Sequence, residues 1–190
     1  VVHRDLKPDN VLLGDFGEVV LLDWGCAART GAAPEPEVRG LIVGTPGYVA
    51  PEQAQGRRGL PASDVYALGA LLFEILTGEP LHRGATALAL IVSVLTSVER
   101  SPIDRAPATP IDPALDALVA AALDPDASAR PTARELAAEL EAIRDRESPF
   151  VAPLDSARDD EGDPERSGVY TRTRSTLVEL GELVASLVMR

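Results

Sequence analysis

The sequence predicts an α+β fold that is mostly helical, with one short β-hairpin near the amino end and about four helices after it. Two observations support this fold class. Within the first 22 residues, two short apolar runs flank a turn that is bounded by glycines. Further along the chain, apolar residues recur at helical spacing in four separate segments. At 190 residues, the chain has room for one domain and a tail.

The hairpin is predicted from two apolar runs at 11–13 and 19–22, with the turn at 14–18 between them. Residues 26–50 show almost no periodicity and contain many Gly and Pro residues. Such a stretch is typical of a long loop, and loops of this length are often functional. We therefore expect a strand pair followed by an irregular segment.

The helices begin with residues 63–77, which are apolar on nearly every face and end at Gly78. A helix of this kind is typical of the centre of a core. Further helices are predicted at 85–97, 112–123 and 132–146. The last of these opens with Thr-Ala-Arg-Glu, a capping-box sequence that favours a helix start.

The charge distribution divides the chain into a domain and a tail. Residues 1–146 are predicted to form the domain, and residues 147–174 an acidic, Pro-rich disordered linker. The linker has few large apolar side chains, so burial cannot offset the entropy of ordering it. A C-terminal helix is predicted within 175–190, because apolar side chains stand at positions 177, 180, 184 and 187.

Composition excludes several classes of function. The net charge is −12, from 30 acidic and 18 basic side chains, so we expect no nucleic-acid partner. The single cysteine excludes a disulfide scaffold. We expect no membrane span and a cytoplasmic location, because the chain has no apolar run of 18 residues and no secretory signal. Lys7 is the only lysine.

The stretch from His3 to Asn10 carries the strongest chemical signal. Phosphoryl transfer needs an acceptor for the nucleophile's proton, metal ligands, and positive charge near the moving phosphoryl group. Asp5 can accept the proton, Lys7 can supply the charge, and Asn10 can offer an amide oxygen to Mg²⁺. Asp23 follows the predicted hairpin, which would return its carboxylate towards Asn10 as a second metal ligand.

Several further motifs follow in order, and together they resemble the eukaryotic-type protein kinase family, in its serine/threonine branch. The resemblance covers residues 1–146. The catalytic-loop signature H-R-D-L-x-x-x-N is complete at 3–10. The matching elements that follow are Asp23-Trp24-Gly25, Gly44-Thr45-Pro46-Gly47-Tyr48, Ala50-Pro51-Glu52, Asp64 and Arg130.

The resemblance implies a protein-kinase-like C-lobe that transfers the γ-phosphate of ATP, with Mg²⁺, to Ser or Thr hydroxyls of protein substrates. It implies catalytic roles for Asp5, Lys7 and Asn10. ATP contacts are implied for Lys7, Asn10 and Asp23, and metal binding for Asn10 and Asp23. It implies that Thr45, Gly47 and Glu52 belong to the acceptor segment, and that His3, Arg4, Asp64 and Arg130 are structural, with Arg130 paired to Glu52.

Alternative interpretations exist for individual residues. Asn10 and Asp23 are also common turn formers. Asp15-Phe16-Gly17 spells the metal-binding motif literally, but it lies only five residues after Asn10 and is assigned to the hairpin turn. In many kinases the arginine at the position that matches Arg4 contacts a phosphorylated residue of the loop that follows the metal-binding motif. Here one hypothesis is that an acidic residue, Glu35 or Glu37, replaces the phosphate, and a solvated acidic loop is the alternative.

The family places its glycine-rich loop and its ATP-positioning lysine before the catalytic loop. With Lys7 as the only lysine, that second lysine cannot lie within this chain. We therefore expect a C-lobe truncated at the N-terminus, with a missing N-lobe as its partner and little activity alone. The alternative is a non-enzymatic half-kinase binding module, or a pseudokinase fragment.

Overall fold

The computed structural model describes residues 1–14, 18–31, 42–96 and 99–146. In chain order the elements are β1 (Val11–Leu13), β2 (Val19–Leu21), α1 (Pro51–Ala54), α2 (Pro61–Thr77), α3 (Ala87–Leu95), α4 (Pro102–Arg105), α5 (Pro113–Ala122) and α6 (Ala133–Arg146). Single turns of 3₁₀ helix cover Pro8–Asn10 and Trp24–Cys26. The predicted fold class is confirmed. The predicted linker, the predicted C-terminal helix, Asp15-Phe16-Gly17 and the Glu35/Glu37 hypothesis lie outside the described residues.

The hairpin pairs β1 and β2 antiparallel, with Val11 opposite Leu21 and Leu12 opposite Val20. Successive strand residues point to opposite faces of a sheet. Val11 and Leu21 pack on the core, whereas Leu12 and Val20 are exposed. The hairpin therefore has one face on the domain and one apolar face turned away from it.

Helix α2 is the centre of the fold, as its all-round apolar sequence predicts. It begins at Pro61, two residues before the predicted start, because a proline fits the first helical position, where no N–H partner is needed. It ends at Gly78, whose φ of 72° lies in the left-handed region that glycine adopts without a side-chain penalty. Twelve of its 17 residues are buried, which makes it the element on which the others pack.

Helices α4, α5 and α6 pack on α2, and the apolar faces of α5 and α6 complete the main core. Helix α3 instead contacts α1. A smaller cluster formed by Val49, Ala54 and Val94 lies under it. Helices α1 and α4 are absent from the sequence prediction because a four-residue helix is too short to show a period.

No helix within the described ranges combines the length and the apolar character that a membrane span requires.

Candidate active site

The catalytic loop is anchored to the central helix by one buried carboxylate. Asp64, in the first turn of α2, accepts backbone hydrogen bonds from His3 N at 2.7 Å and Arg4 N at 2.9 Å. Burial raises the pKa of Asp64, although these two donors act in the opposite direction. Arg4 has a φ of 71°, a strained value for a side chain other than glycine. The double contact to Asp64 holds the loop in this conformation.

The imidazole of His3 fills the space between this loop and the segment after the hairpin. His3 is fully buried, and its Nε2 lies 3.0 Å from the carbonyl oxygen of Leu22. Its ring meets the ring of Trp24 edge to face, with 4.8 Å between centroids. Trp24 itself packs against the core. These contacts hold residues 22–24 against the catalytic loop.

Asp5, Lys7 and Thr45 form a three-residue cluster at the surface. The Thr45 hydroxyl donates to Asp5 Oδ1 at 2.7 Å, and Lys7 Nζ donates to Thr45 Oγ1 at 3.0 Å. Lys7 Nζ also lies 3.6 Å from Asp5 Oδ2. The cluster joins the catalytic loop to a segment about 40 residues away in the chain. All three side chains keep partial exposure, so a substrate can reach them.

The hairpin returns the backbone at Leu22, the residue before Asp23, to Asn10. The backbone of Leu22 donates to the carbonyl oxygen of Asn10 at 2.9 Å, which puts Asp23 one residue from that pairing. Asn10 Nδ2 donates to the carbonyl oxygen of Asp5 at 2.8 Å, so the amide presents its oxygen to any cation. Asp23 is exposed and its Oδ1 accepts from Gly25 N at 3.2 Å.

An amide oxygen and a carboxylate are the hard ligands that Mg²⁺ takes, together with waters and phosphate oxygens. The donor chemistry of Asn10 and Asp23 therefore fits Mg²⁺. In the part of the chain that the structure describes, no group of three His, Cys, Asp or Glu side chains could hold a metal ion.

The segment from Gly44 to Glu52 passes close over the catalytic loop. Gly44 has a φ of 118°, and a Cβ there would lie 2.8 Å from the carbonyl oxygen of Arg4. Gly47 also has a positive φ, of 101°. Glycine is therefore required at 44 both for the backbone conformation and for the close approach.

Gln53 fixes this approach, and the sequence analysis did not identify it. Its Nε2 donates to the carbonyl oxygens of Arg4 and Val43, both at 3.1 Å, and its Oε1 accepts from Ala50 N at 3.1 Å. A glutamine in the first turn of a short helix carries no distinctive pattern. Its position directly after Ala-Pro-Glu was the only available signal.

Glu52 and Arg130 form a buried, two-pronged ion pair. Arg130 Nη1 donates to Glu52 Oε1 and Nη2 to Oε2, both at 2.9 Å. Ser63, also absent from the sequence analysis, donates to Oε1 at 2.6 Å. Burial by itself would raise the pKa of Glu52, but the hydrogen bonds from Arg130 and Ser63 outweigh it and hold this pKa below its ordinary value.

The guanidinium of Arg4 turns towards the segment after Gly25. Its Nε donates to the carbonyl oxygen of Cys26. Its Nη2 lies 3.5 Å from the carbonyl oxygen of Ala27. These contacts hold the start of the loop that follows the hairpin.

The structure contains two further polar clusters that the sequence did not predict. The Tyr48 hydroxyl donates to Glu74 at 2.6 Å, and burial together with this carboxylate raises the pKa of Tyr48. The Tyr66 hydroxyl lies 2.8 Å from His82 Nε2, and His82 Nδ1 lies 3.1 Å from the Ser93 hydroxyl. Neither cluster follows a sequence motif, because each joins residues from separate elements.

Comparisons with known proteins point to one family. A family model described as a protein kinase domain matches residues 1–140. Serine/threonine-protein kinase PknL of Mycobacterium tuberculosis is 36% identical over 195 residues, covering 99% of this chain and 46% of the relative. Serine/threonine-protein kinase pkn3 of Myxococcus xanthus is 35% identical over 168 residues, covering 83% of this chain and 30% of the relative.

A third relative, serine/threonine-protein kinase PknD of Chlamydia muridarum, is 39% identical over 150 residues, covering 66% of this chain and 16% of the relative. The chain thus spans less than half the length of these relatives. The matched family model and the motifs built into the catalytic loop lead to one conclusion: the chain belongs to the protein kinase family.

Proposed function

We propose that this chain carries the catalytic and acceptor-binding residues of a serine/threonine protein kinase, which transfers the γ-phosphate of ATP to Ser or Thr hydroxyls of protein substrates. One observation supports this function most directly. The Thr45 hydroxyl lies 2.7 Å from Asp5 and 3.0 Å from Lys7, so the acceptor segment meets the catalytic loop at its carboxylate and its ammonium group.

Asp5 is the proton acceptor in this proposal. Thr45 donates to Oδ1, which fixes the orientation of the carboxylate. Oδ2 makes the longer contact of 3.6 Å to Lys7 Nζ. An incoming Ser or Thr hydroxyl would therefore hydrogen-bond Oδ2 and pass its proton there as its oxygen bonds to the γ-phosphorus. The bond from this phosphorus to the bridging oxygen would break at the same time, and ADP would leave. Positioned proton acceptors of this kind contribute about 10²–10⁴-fold to rates.

Lys7 is the cation that faces the transferred phosphoryl group. Its ammonium group is partly exposed and contacts Asp5 and Thr45 without being enclosed by them. Phosphoryl oxygens carry the charge of the transition state, and a lysine beside them stabilises it. Lys7 can therefore turn from its present acceptors to a phosphate oxygen at little cost.

Asn10 and Asp23 would hold Mg²⁺ through their oxygens. When bound, the ion supplies positive charge that neutralises the phosphate oxygens of ATP. The apolar side chains of Leu12, Val20 and Leu22 lie exposed on the outer face of the hairpin, beside these two residues in the chain. This outer face would support the adenine base, since an aromatic ring favours contact with apolar surface.

The remaining part of the nucleotide site is proposed to come from polypeptide outside these 190 residues. Phosphate positioning in the family uses a second lysine, and Lys7 is the only lysine in this sequence. The 190-residue chain alone is therefore expected to give a flat calorimetric titration with Mg-ATP. A strong binding isotherm would contradict this part of the proposal.

The test of the proposal is the Asp5→Asn variant, prepared in the natural polypeptide that contains these residues. The amide cannot accept the proton, so transfer from radiolabelled ATP to a protein substrate should fall by about 10²–10⁴-fold. The matched control is Asp9→Asn, which makes the same change in an exposed side chain of the same loop and should keep normal transfer.

Normal transfer by Asp5→Asn would overturn the catalytic assignment. If neither the unaltered polypeptide nor the Asp5→Asn variant transfers phosphate although both are folded, the result supports the alternative interpretation as a non-enzymatic half-kinase binding module.

A further inference from the structure

Helix α3 exposes an apolar stripe that the proposed function does not use. Leu88, Val92 and Leu95 are 73%, 51% and 46% exposed, and their spacing of four and three residues puts them on one face. No charged residue occurs in Ala87–Leu95. A surface helix usually carries polar residues on its outer face. This set of three residues, the α3 stripe, therefore has the composition of a covered surface.

The opposite side of α3 is already occupied. Val94 packs with Val49 and Ala54, and Ile91 lies at the edge of the same small cluster. The helix is thus fixed in place on its inner side, with the α3 stripe facing away from the domain. Whatever covers the stripe must come from outside the described residues.

We infer that the α3 stripe is the docking surface for the chain's own C-terminal segment, residues 175–190. This segment carries Leu177, Leu180, Val184 and Leu187 at helical spacing, so as a helix it would present one apolar face. Its two acidic residues, Glu179 and Glu182, would stand on the opposite face. The apolar face of the segment matches the uncharged stripe of α3 in chemistry, and it is long enough to cover the whole stripe.

The length of the intervening chain allows this contact. Described structure ends at Arg146, and 28 residues, 147–174, separate it from the segment. The sequence predicts a disordered linker here, and a random coil of this length would have a root-mean-square span of roughly 30 Å. A 146-residue domain has a radius of gyration of about 15 Å, so the linker can reach any face of it. The tether also keeps the segment at a high effective concentration.

The size of the stripe favours a tethered segment over a second copy of the chain. The exposed parts of the three side chains together present on the order of 200 Å². A stable interface between separate molecules buries roughly 800 Å² per partner. The α3 stripe is therefore too small to hold a dimer by itself, whereas a tethered segment avoids most of the entropy cost of association.

Amide hydrogen exchange of the 190-residue chain, read by mass spectrometry, tests this inference. Peptides covering 177–188 should exchange at least tenfold more slowly than the same sequence as a free peptide. Val92→Glu introduces a charge into the α3 stripe and should restore the free-peptide rate. The control Leu60→Glu makes the same kind of change at an exposed apolar residue outside α3, and should leave the protection unchanged.

Variants in the segment provide the reciprocal test. Val184→Glu should remove the protection and should also speed exchange of the α3 amides, whereas Ser186→Glu, on the opposite face of the predicted helix, should do neither. Free-peptide exchange in the unaltered chain would overturn the inference, and so would protection that survives Val92→Glu. Protection that disappears on dilution, together with a dimer mass in light scattering, would replace the tethered segment by a second copy.

Discussion

Two carboxylate–cation pairs of this domain are built in opposite ways. Arg130 and Glu52 are joined by two hydrogen bonds of 2.9 Å, and their side chains are 0% and 8% exposed. Lys7 and Asp5 are 3.6 Å apart, and their side chains are 22% and 12% exposed. The first pair is buried and short, whereas the second, called the open pair here, is longer and partly exposed.

The partners of the two cations explain the difference. Besides Glu52, Arg130 donates to the carbonyl oxygens of Ala62 and Asp124, both at 2.7 Å, and its guanidinium lies 4.9 Å from the centre of the Tyr66 ring. The planar fork of an arginine suits such a fixed set of acceptors. Lys7 has a flexible stem and a compact charge, which can move between acceptors. The buried pair is therefore suited to holding the fold, whereas the cation of the open pair can change partners.

The largest expected effect on stability comes from breaking the buried pair. Arg130→Met would leave the Glu52 carboxylate buried without its cation, so the free energy of unfolding should fall by about 3–5 kcal/mol. The control is Arg100→Met, which removes a more exposed pair with Asp124 and should cost at most about 1 kcal/mol. Urea denaturation followed by circular dichroism measures both. Equal losses in the two variants would contradict the contrast between buried and open pairs.

His82 is another buried polar group, and its burial should make the free energy of unfolding depend on pH. Burial, with a smaller contribution from Arg105, lowers the pKa of His82 to about 4. The unfolded chain takes up this proton near pH 6.5, whereas the folded chain does so only near pH 4. This site should therefore reduce the free energy of unfolding as the pH falls from 6.5 to 4, by about 3 kcal/mol in all.

The His82→Gln variant isolates this contribution, because glutamine keeps hydrogen-bonding groups and does not titrate. Its free energy of unfolding should depend less on pH between 6.5 and 4 than that of the unaltered chain, as measured by urea denaturation at a series of pH values. Identical pH profiles for the two proteins would show that His82 does not titrate as its burial requires.

The smallest expected effect on stability comes from the open pair. Lys7→Met should change the free energy of unfolding by no more than about 1 kcal/mol, because a partly exposed ion pair contributes little. The exposed pair of Arg83 with Glu79 offers a control, and Arg83→Met should cost a similarly small amount. Under the proposed function only Lys7→Met lowers phosphate transfer, which the radiolabel assay measures. A large loss of stability in Lys7→Met would show that Lys7 stabilises the fold as the buried pair does, and would contradict the contrast between the two pairs.

Helix positions could be predicted from the sequence because they depend on local periodicity and capping. The predicted segment 112–123 appears as Pro113–Ala122, with the Asp112 side chain accepting from Ala114 N at its start. The predicted capping box of α6 is also present, with Thr132 and Glu135 exchanging hydrogen bonds. Each of these features joins residues that are at most four apart. Both partners of the interaction therefore lie within one short sequence pattern.

Within the candidate site, sequence motifs predicted roles for Asp5, Lys7, Asn10 and Asp23, but they could not predict the supporting contacts. Gln53 bridges two segments 49 and 10 residues away, and Ser63 reaches Glu52 from the next helix. Contacts of this kind depend on how α1 and α2 pack. A single side chain carries no pattern that reveals them.

The sequence by itself indicated the family, the hairpin and the four longer helices, because these reside in short motifs and local periods. Only the tertiary structure decided that Lys7 also meets Thr45, that Gln53 and Ser63 support the candidate site, and that one face of α3 is exposed among the described residues. The physical reason is that local hydrogen bonding fixes an element, whereas its neighbours are chosen by burial and pairing over the whole chain.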